Sequence, residues 1–166
     1  MEGPDTTSYR EWDEQTDNAW FRHGRRPGAR VLAEVRPLTA EYASRLWRWV
    51  FPTEKNVLPL VAKDKKNWLH EVMASEPISF GRPGDPSLQK HLRRLFPWAD
   101  TDSVFFLVRN GTAYHTPWPV FVEHWQDFLG WYNEGLLFHP TAREVAVFWE
   151  VQAMFIGRRS KRHLGR

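Results

Sequence analysis

The sequence contains no cysteine among its 166 residues. Without thiols the chain forms no disulfide and offers no thiolate ligand for zinc or an iron–sulfur cluster. It also lacks the run of about 18 apolar residues that a membrane-spanning helix needs, and residues 1–5 are acidic where a signal peptide would be basic and then apolar. We therefore expect a cytoplasmic protein with no membrane contact.

The sequence patterns of common active sites are missing as well. There is no His-Glu-x-x-His zinc motif and no Gly-x-Ser-x-Gly nucleophile turn. The glycines of residues 80–84 precede a predicted helix, but the Gly-Lys-Ser/Thr ending of a phosphate-binding loop is absent. We therefore predict no metal, no cofactor and no enzymatic activity. One enzymatic alternative stays open, a hydrolase that assembles His115, Glu123 and His139 in one pocket.

Aromatic residues are plentiful, with ten tryptophans and eleven phenylalanines. Each aromatic ring buries a large apolar area, so these residues can build a full core although only 42% of the chain is hydrophobic. Tryptophan and arginine also dominate the energetics of protein interfaces. Some of these rings can therefore serve a binding surface.

The net charge of +3 conceals two oppositely charged ends. Residues 1–18 contain six acidic side chains and one arginine, whereas residues 158–166 contain five basic side chains and no acid. This charge pattern predicts an acidic, flexible arm over 1–18, a single domain over 19–157 and a basic tail over 158–166.

Between residues 103 and 159 the local sequence signals for strands, turns and a helix are consistent with one another. A β-branched and aromatic run at 103–108 is followed by the hairpin dipeptide Asn110-Gly111 and a return strand at 112–115. Thr116 is expected to cap the helix that follows, and the segment Asn133-Glu134-Gly135 to end it through a left-handed glycine. Three further strands are predicted, at residues 136–138, 144–149 and 154–157.

The N-terminal half has weaker patterns. Alternation at Val31, Ala33 and Val35 predicts a strand, and a second short strand is predicted at 20–23. Pro59 argues for a loop or an edge segment over 56–62. Four helices are predicted from caps and apolar spacing, at residues 39–50, 64–73 (capped by Asp64), 86–96 and 119–132. Together the patterns predict a single α+β domain, with an antiparallel sheet mainly from the C-terminal half and about four helices packed on it.

A small basic and aromatic patch lies at residues 20–26, where Trp20 and Phe21 precede three arginines. Aromatic rings can stack on bases and arginines can pair with phosphates, so this patch and the basic tail are compatible with a nucleic-acid-associated module. The rest of the chain lacks the concentrated positive charge that such modules show. We keep nucleic acid as the alternative partner.

The chain resembles a family of small, tryptophan-rich bacterial domains with no assigned function. The resemblance covers most of the chain and is carried by residues 19–23, 36–39, 118–121, 125–129 and 155–159. Over residues 104–129 the order of strand, hairpin and aromatic helix is also similar to that of immunity proteins related to yeast cell-wall regulators, which neutralise toxins by binding them. The strands after the helix depart from that pattern. The resemblance to immunity proteins implies a non-enzymatic binding protein whose partner is a protein, namely a toxin.

A binding protein needs side chains that contact the partner, at positions that are not buried in the core. Trp98 follows Pro97 in a predicted loop, and Arg93 and Arg94 lie on the outer face of their helix. Trp47 and Trp131 fall outside the apolar stripes predicted for their helices. The partner-binding residues predicted from the sequence are therefore Trp47, Arg93, Arg94, Trp98 and Trp131.

Overall fold

The computed structural model describes residues 3–20, 28–79, 87–129, 134–149 and 153–159. Within these residues the α-helices are α1 Glu14–Trp20, α2 Ala29–Glu34, α3 Ala40–Val50, α4 Leu58–Ala62, α5 Trp68–Met73, α6 Ser87–Leu95 and α7 Trp118–Phe128. The strands are β1 Arg36–Pro37, β2 Ile78–Ser79, β3 Ser103–Arg109, β4 Thr112–Pro117, β5 Gly135–Phe138, β6 Glu144–Trp149 and β7 Ala153–Arg158. A short 3-10 turn, Thr6–Ser8, precedes α1.

All seven strands form one antiparallel sheet in the order β1-β4-β3-β5-β6-β7-β2. Its centre comes from the C-terminal half, and the two-residue strands β1 and β2 lie at the edges. The predicted hairpin is confirmed: Gly111 has a φ of 80°, the left-handed conformation that this turn requires and that glycine adopts without strain. The predicted fold class, a single α+β domain with an antiparallel sheet, is confirmed.

The alternation of side chains along the strands divides the core into two layers. On β3, Val104 and Phe106 point to one face of the sheet, where α2, α6 and α7 pack, and we call this the α7 face. Phe105 and Leu107 point to the other, the α3 face, where α3, α4 and α5 pack. Both faces are buried, which explains why the central strands read as continuous apolar runs instead of alternating ones.

Helix α3 shows how local signals and packing combine. Thr39 accepts a hydrogen bond from the backbone N–H of Tyr42 at 3.3 Å, as expected for an N-cap. Leu46 and Val50 lie one helical turn apart and are fully buried, whereas Arg45 is exposed. The prediction that Trp47 points outward is wrong, because the chain after the helix covers it. Its indole N–H donates to the carbonyl of Lys55 at 2.8 Å, and its exposed fraction is 0%.

Two predictions for the N-terminal half are also wrong. The segment with Val31, Ala33 and Val35 is helix α2, because Val31 and Val35 lie one helical turn apart and both enter the core while Ala33 is exposed. The segment around Pro59 forms helix α4, since a proline in the first turn lacks only an N–H that would be unpaired there anyway.

Some predicted caps act differently. Helix α5 begins later than predicted and is capped by Asn67, while Asp64 pairs with Lys55 Nζ at 2.8 Å. Thr116 lies in β4 and does not cap α7, whose N-cap is Pro117. Gly135 opens β5 with no positive φ. A β-carbon there would overlap the ring of Phe106, so close packing and not left-handed capping requires this glycine.

Candidate functional site

A cleft of about 330 Å³ opens on the α3 face of the sheet, where β3 begins and β4 and β5 end. Its floor is aromatic and its rim is polar. The lining residues are Gly3, Pro4, Tyr42, Trp49, Thr101, Asp102, Ser103, Phe105, His115, His139, Pro140 and Thr141.

The strand register builds the floor of the cleft. Phe105 of β3 pairs with His115 of β4 on one side and with Phe138 of β5 on the other. The ring centroids are 4.9 Å apart for Phe105 and His115 and 5.4 Å apart for Phe105 and Phe138. Trp49 of α3 extends the row, with its ring 5.9 Å from that of Phe138. The close ring pairs of Phe105 with His115 and Phe138 hold these three side chains in place, so this part of the floor is preorganised.

The N-terminal segment forms another wall. Gly3 and Pro4 line the cleft, and the hydroxyl of Tyr9 is hydrogen-bonded to Nδ1 of His115 at 2.9 Å. The guanidinium of Arg36 lies 3.3 Å from the centre of the Tyr9 ring. Backbone hydrogen bonds join the segment to the chain around β1, since the N–H of Arg10 donates to the carbonyl of Pro37.

Asp17 anchors the same segment from the α7 face. The carboxylate is completely buried and accepts two hydrogen bonds from the guanidinium of Arg10, at 2.6 and 2.7 Å. It also accepts one from the hydroxyl of Tyr114 and one from the N–H of Asp13. Burial and the Asp17 charge raise the pKa of Tyr114 well above its usual value, so this hydroxyl stays protonated and donates.

The division into an acidic arm, a domain and a basic tail stays a prediction.

His115 is held neutral inside the cleft. Burial, assisted by the charge of Arg36, lowers the pKa of His115 from 6.5 to about 4. Its Nδ1 faces Tyr9, while the rest of the ring lines the cleft. Near neutral pH the side chain therefore acts as an uncharged hydrogen-bonding group. Perturbed histidines of this kind are common at functional sites.

This pKa predicts acid sensitivity. The unfolded chain binds a proton at His115 near pH 6.5, and the folded chain does so only near pH 4. The contribution of His115 to the free energy of unfolding is therefore fully present above about pH 6.5 and is lost as the pH falls toward 4. We expect His115 to account for on the order of 2 kcal/mol of the loss between pH 7 and pH 4.5. Urea unfolding of the wild type and of His115→Gln at both pH values measures it. Equal losses in the two proteins would contradict the assignment.

His139 is fixed by the turn that follows β5. Its Nδ1 accepts hydrogen bonds from the backbone N–H groups of Thr141 and Ala142, so in the neutral ring the proton sits on Nε2. That Nε2 lies 3.7 Å from a carboxylate oxygen of Asp102. Burial lowers the pKa of His139, although the Asp102 charge opposes the shift. Both ring nitrogens therefore face groups of the protein itself.

Arg159 lies directly behind this part of the cleft. It follows β7 and its exposed fraction is 0%, although the sequence placed it in the basic tail. One of its amino groups, Nη2, donates to the carbonyls of His139 and Ala142. The guanidinium carbon lies 4.5 Å from the centre of the Trp49 ring and 5.0 Å from that of Phe138.

The structure separates the residues of the hydrolase alternative. His115 and His139 line the same cleft, whereas Glu123 lies on α7 at the opposite face of the sheet. Glu123 is half exposed there, and its carboxylate lies 3.8 Å from a guanidinium nitrogen of Arg30. The three side chains therefore do not meet in one pocket.

The predicted partner-binding residues fall in three places. Trp47 is in the core, where a fully buried ring is not available as a surface anchor. Arg93 and Arg94 are exposed on α6, and Arg93 pairs with Asp100 at 2.8 Å. Trp98 is half-buried, with its ring 5.6 Å from that of His139. Trp131 and residues 21–26 of the basic and aromatic patch lie outside the described residues.

Comparison with protein-family models matches residues 9–157 to the family described as "Protein of unknown function (DUF2947)". This span covers most of the chain. The chain belongs to the DUF2947 family. Neither the curated proteins nor the solved structures contain a match to it.

The expected membership of a family without an assigned function is thus confirmed. In this DUF2947 chain the matched span contains every residue of the cleft except Gly3 and Pro4. Over the residues that the structure describes, no helix has the length and apolarity to cross a membrane. The same residues contain no group of three or more His, Asp or Glu side chains placed to hold a metal ion.

Proposed function

We propose that this chain is a non-enzymatic binding protein whose partner docks at the cleft and on the rim beside it. The observation that carries the proposal is the cleft itself, an aromatic floor with two histidines at the end of a rigid sheet. Its volume of about 330 Å³ lies in the range of roughly 300–1,000 Å³ typical of binding pockets.

The rim connects the cleft with the anchors expected from the sequence. Residues 96–102 run from the end of α6 to β3, and Thr101 and Asp102 of this loop line the cleft. Trp98 of the same loop packs beside His139. The ion pair between Arg93 and Asp100 fixes the loop to α6 from outside. A buried aromatic centre with a polar rim is the usual anatomy of a protein interface.

Two features favour binding over catalysis. The ring nitrogens of His139 face the 139–142 turn and Asp102, so neither is positioned toward a substrate in the cleft. Within the described part of the chain, the interactions of His115 are with Tyr9, Phe105 and Arg36, and none of these residues supplies a carboxylate. A general base is usually supported by a group that orients it and raises its basicity.

The partner class follows from the resemblance over residues 104–129. Immunity proteins occupy a toxin through a preformed surface, and rigid surfaces bind without large rearrangement. We propose a protein toxin as the partner, with one of its side chains seated in the cleft. An immunity protein is encoded beside its toxin, so the products of the neighbouring genes are the proteins to test.

Filling the mouth of the cleft tests the proposal. Thr101→Trp places a bulky ring at an exposed lining position, and Ser79→Trp adds the same ring at an exposed position on the opposite sheet edge. We expect Thr101→Trp to weaken binding of the neighbour-encoded partner at least tenfold, measured by titration calorimetry, while Ser79→Trp leaves it unchanged. Both variants should melt within a few degrees of the wild type.

Two results would count against the proposal. If no neighbour-encoded protein binds the wild type, the toxin assignment fails. If a partner binds Thr101→Trp as tightly as the wild type, the docking surface lies elsewhere. Arg94→Ala then tests the outer face of α6 directly.

A further inference from the structure

Arg159 is a buried cation that is only partly satisfied. Its Nη2 group donates to two carbonyls, but Nε and Nη1 have no hydrogen-bond partner in the part of the chain that the structure describes. Unpaired buried donors are uncommon in native proteins and call for a physical explanation. The missing partner of a guanidinium is most simply an anion, because its planar fork matches a carboxylate or a phosphate.

The neighbouring acid does not supply that partner. Glu144 is the acidic residue whose charge acts on Arg159, but its carboxylate lies 3.4 Å from Nε of Arg158, its register partner on β7. Burial lowers the pKa of Arg159 to about 10 in spite of Glu144. At neutral pH the guanidinium is therefore charged and buried, and none of the residues that the structure describes places a carboxylate in contact with it. A buried charge in this state costs folding free energy that a bound anion would offset.

The guanidinium contacts two residues that line the cleft, Trp49 and His139. Trp49 lines the cleft and is partly exposed. The centre of its ring lies 4.5 Å from the guanidinium carbon of Arg159. His139 also lines the cleft, and its carbonyl accepts from Arg159.

We infer that the ligand seated in the cleft carries a carboxylate or phosphoryl group that pairs with Arg159 after the ring of Trp49 moves aside. The inference rests on the proposed function, because the same cleft holds the ligand. It adds a chemical requirement: an apolar part lies on the aromatic floor, and an oxyanion reaches Nε and Nη1 of Arg159. On a protein partner this group is an acidic side chain, a chain terminus or a phosphorylated residue.

Three probes of similar shape test the charge requirement. Benzoate carries a carboxylate, phenyl phosphate carries a phosphoryl group, and benzamide is the uncharged counterpart of benzoate. Each is titrated into the full chain, and affinities are read from the NMR signals of the Trp49 indole and the His115 ring. We expect at least one anionic probe to bind tenfold or more tightly than benzamide and to shift the Trp49 signal. The tighter anion identifies which oxyanion the site prefers.

Two variants separate Arg159 from general positive charge. Arg159→Met should abolish the preference for the anionic probes while benzamide still binds. Arg158→Met removes the same charge from the adjacent residue, whose side chain is 70% exposed, and should leave the preference intact. If Arg159→Met does not fold, the comparison of benzoate, phenyl phosphate and benzamide on the wild type still decides whether the cleft prefers an anion.

The outcomes distinguish this inference from the function on which it rests. If benzamide binds the wild type as tightly as both anions do, the cleft is a binding site but Arg159 is not its anion receptor. If the preference persists in Arg159→Met, another group selects the anion and the assignment to Arg159 is wrong. If none of the three probes shifts the cleft signals, both the cleft as a binding site and its anion requirement are contradicted.

Discussion

Replacing Asp17 by alanine is expected to destabilise the domain by about 3–5 kcal/mol. The Asp17 carboxylate is fully buried and accepts four hydrogen bonds, two of them from Arg10 and one from Tyr114. Without it, the buried Tyr114 hydroxyl loses this hydrogen-bond acceptor, and the Arg10 guanidinium loses its ion pair. Urea unfolding of the wild type and of Asp17→Ala at pH 7 measures the difference in the free energy of unfolding.

Asp13→Ala is the matched control for this prediction. Asp13 is an exposed acid of the same segment, and its side chain accepts a hydrogen bond from the nearby N–H of Thr16. We expect its removal to cost about 1 kcal/mol, as for an ordinary helix cap. If Asp17→Ala were no more harmful than Asp13→Ala, the N-terminal segment would be the flexible arm that its composition suggests, and the wall it adds to the cleft would not be stable.

Trp47→Ala is expected to cost a similar amount, about 3–5 kcal/mol. The ring is fully buried in the core of the α3 face, packs on Phe51 at a centroid distance of 4.9 Å and donates to the Lys55 carbonyl. Truncation therefore leaves a cavity and an unpaired carbonyl. Thermal and urea unfolding followed by circular dichroism report the loss.

Trp49→Ala provides the comparison for Trp47 on the same helix. Trp49 is partly exposed and lines the cleft, so its truncation should destabilise the domain less and should weaken partner binding more. If Trp47→Ala instead left stability unchanged and reduced partner affinity, the original prediction of Trp47 as a surface anchor would be restored.

The fold was most predictable where independent local signals coincide. The hairpin at Asn110-Gly111 has β-branched strands on both sides, and helix α3 has both a threonine cap and an apolar stripe. Prediction failed where one pattern fits two structures. Val31 and Val35 are four positions apart, a spacing that suits both a strand of period 2 and one turn of a helix. The contacts with α7 favour the helix.

The candidate site was only partly predictable, because its geometry arises from long-range pairing. His115 and His139 were recognised as candidates, but the sequence does not show that β3 lies between their strands and brings them to one cleft. Arg159 resembled the start of a charged tail, since it follows Arg158 and precedes further basic residues. Its burial depends on the 139–142 turn folding over it, which no local pattern near residue 159 indicates.

Trp47 illustrates the same limit within a helix. Apolar spacing located the centre of the buried face of α3 but not its width, which depends on what packs against its sides. The chain from Phe51 to Lys55 folds back over Trp47 and extends the buried face. A local signal was available in Phe51, four residues after Trp47 and so on the same side of the helix.

Hydrogen exchange on the complex tests the central claim, that the partner docks at the cleft, without altering the chain. The neighbour-encoded protein that binds is added in excess, and amide protection is compared with that of the free chain by mass spectrometry. Docking at the cleft predicts added protection in residues 3–10, 99–105 and 138–142, with little change in α4 and α5. Protection confined to α4, α5 or the β2 edge would contradict the cleft as the binding surface.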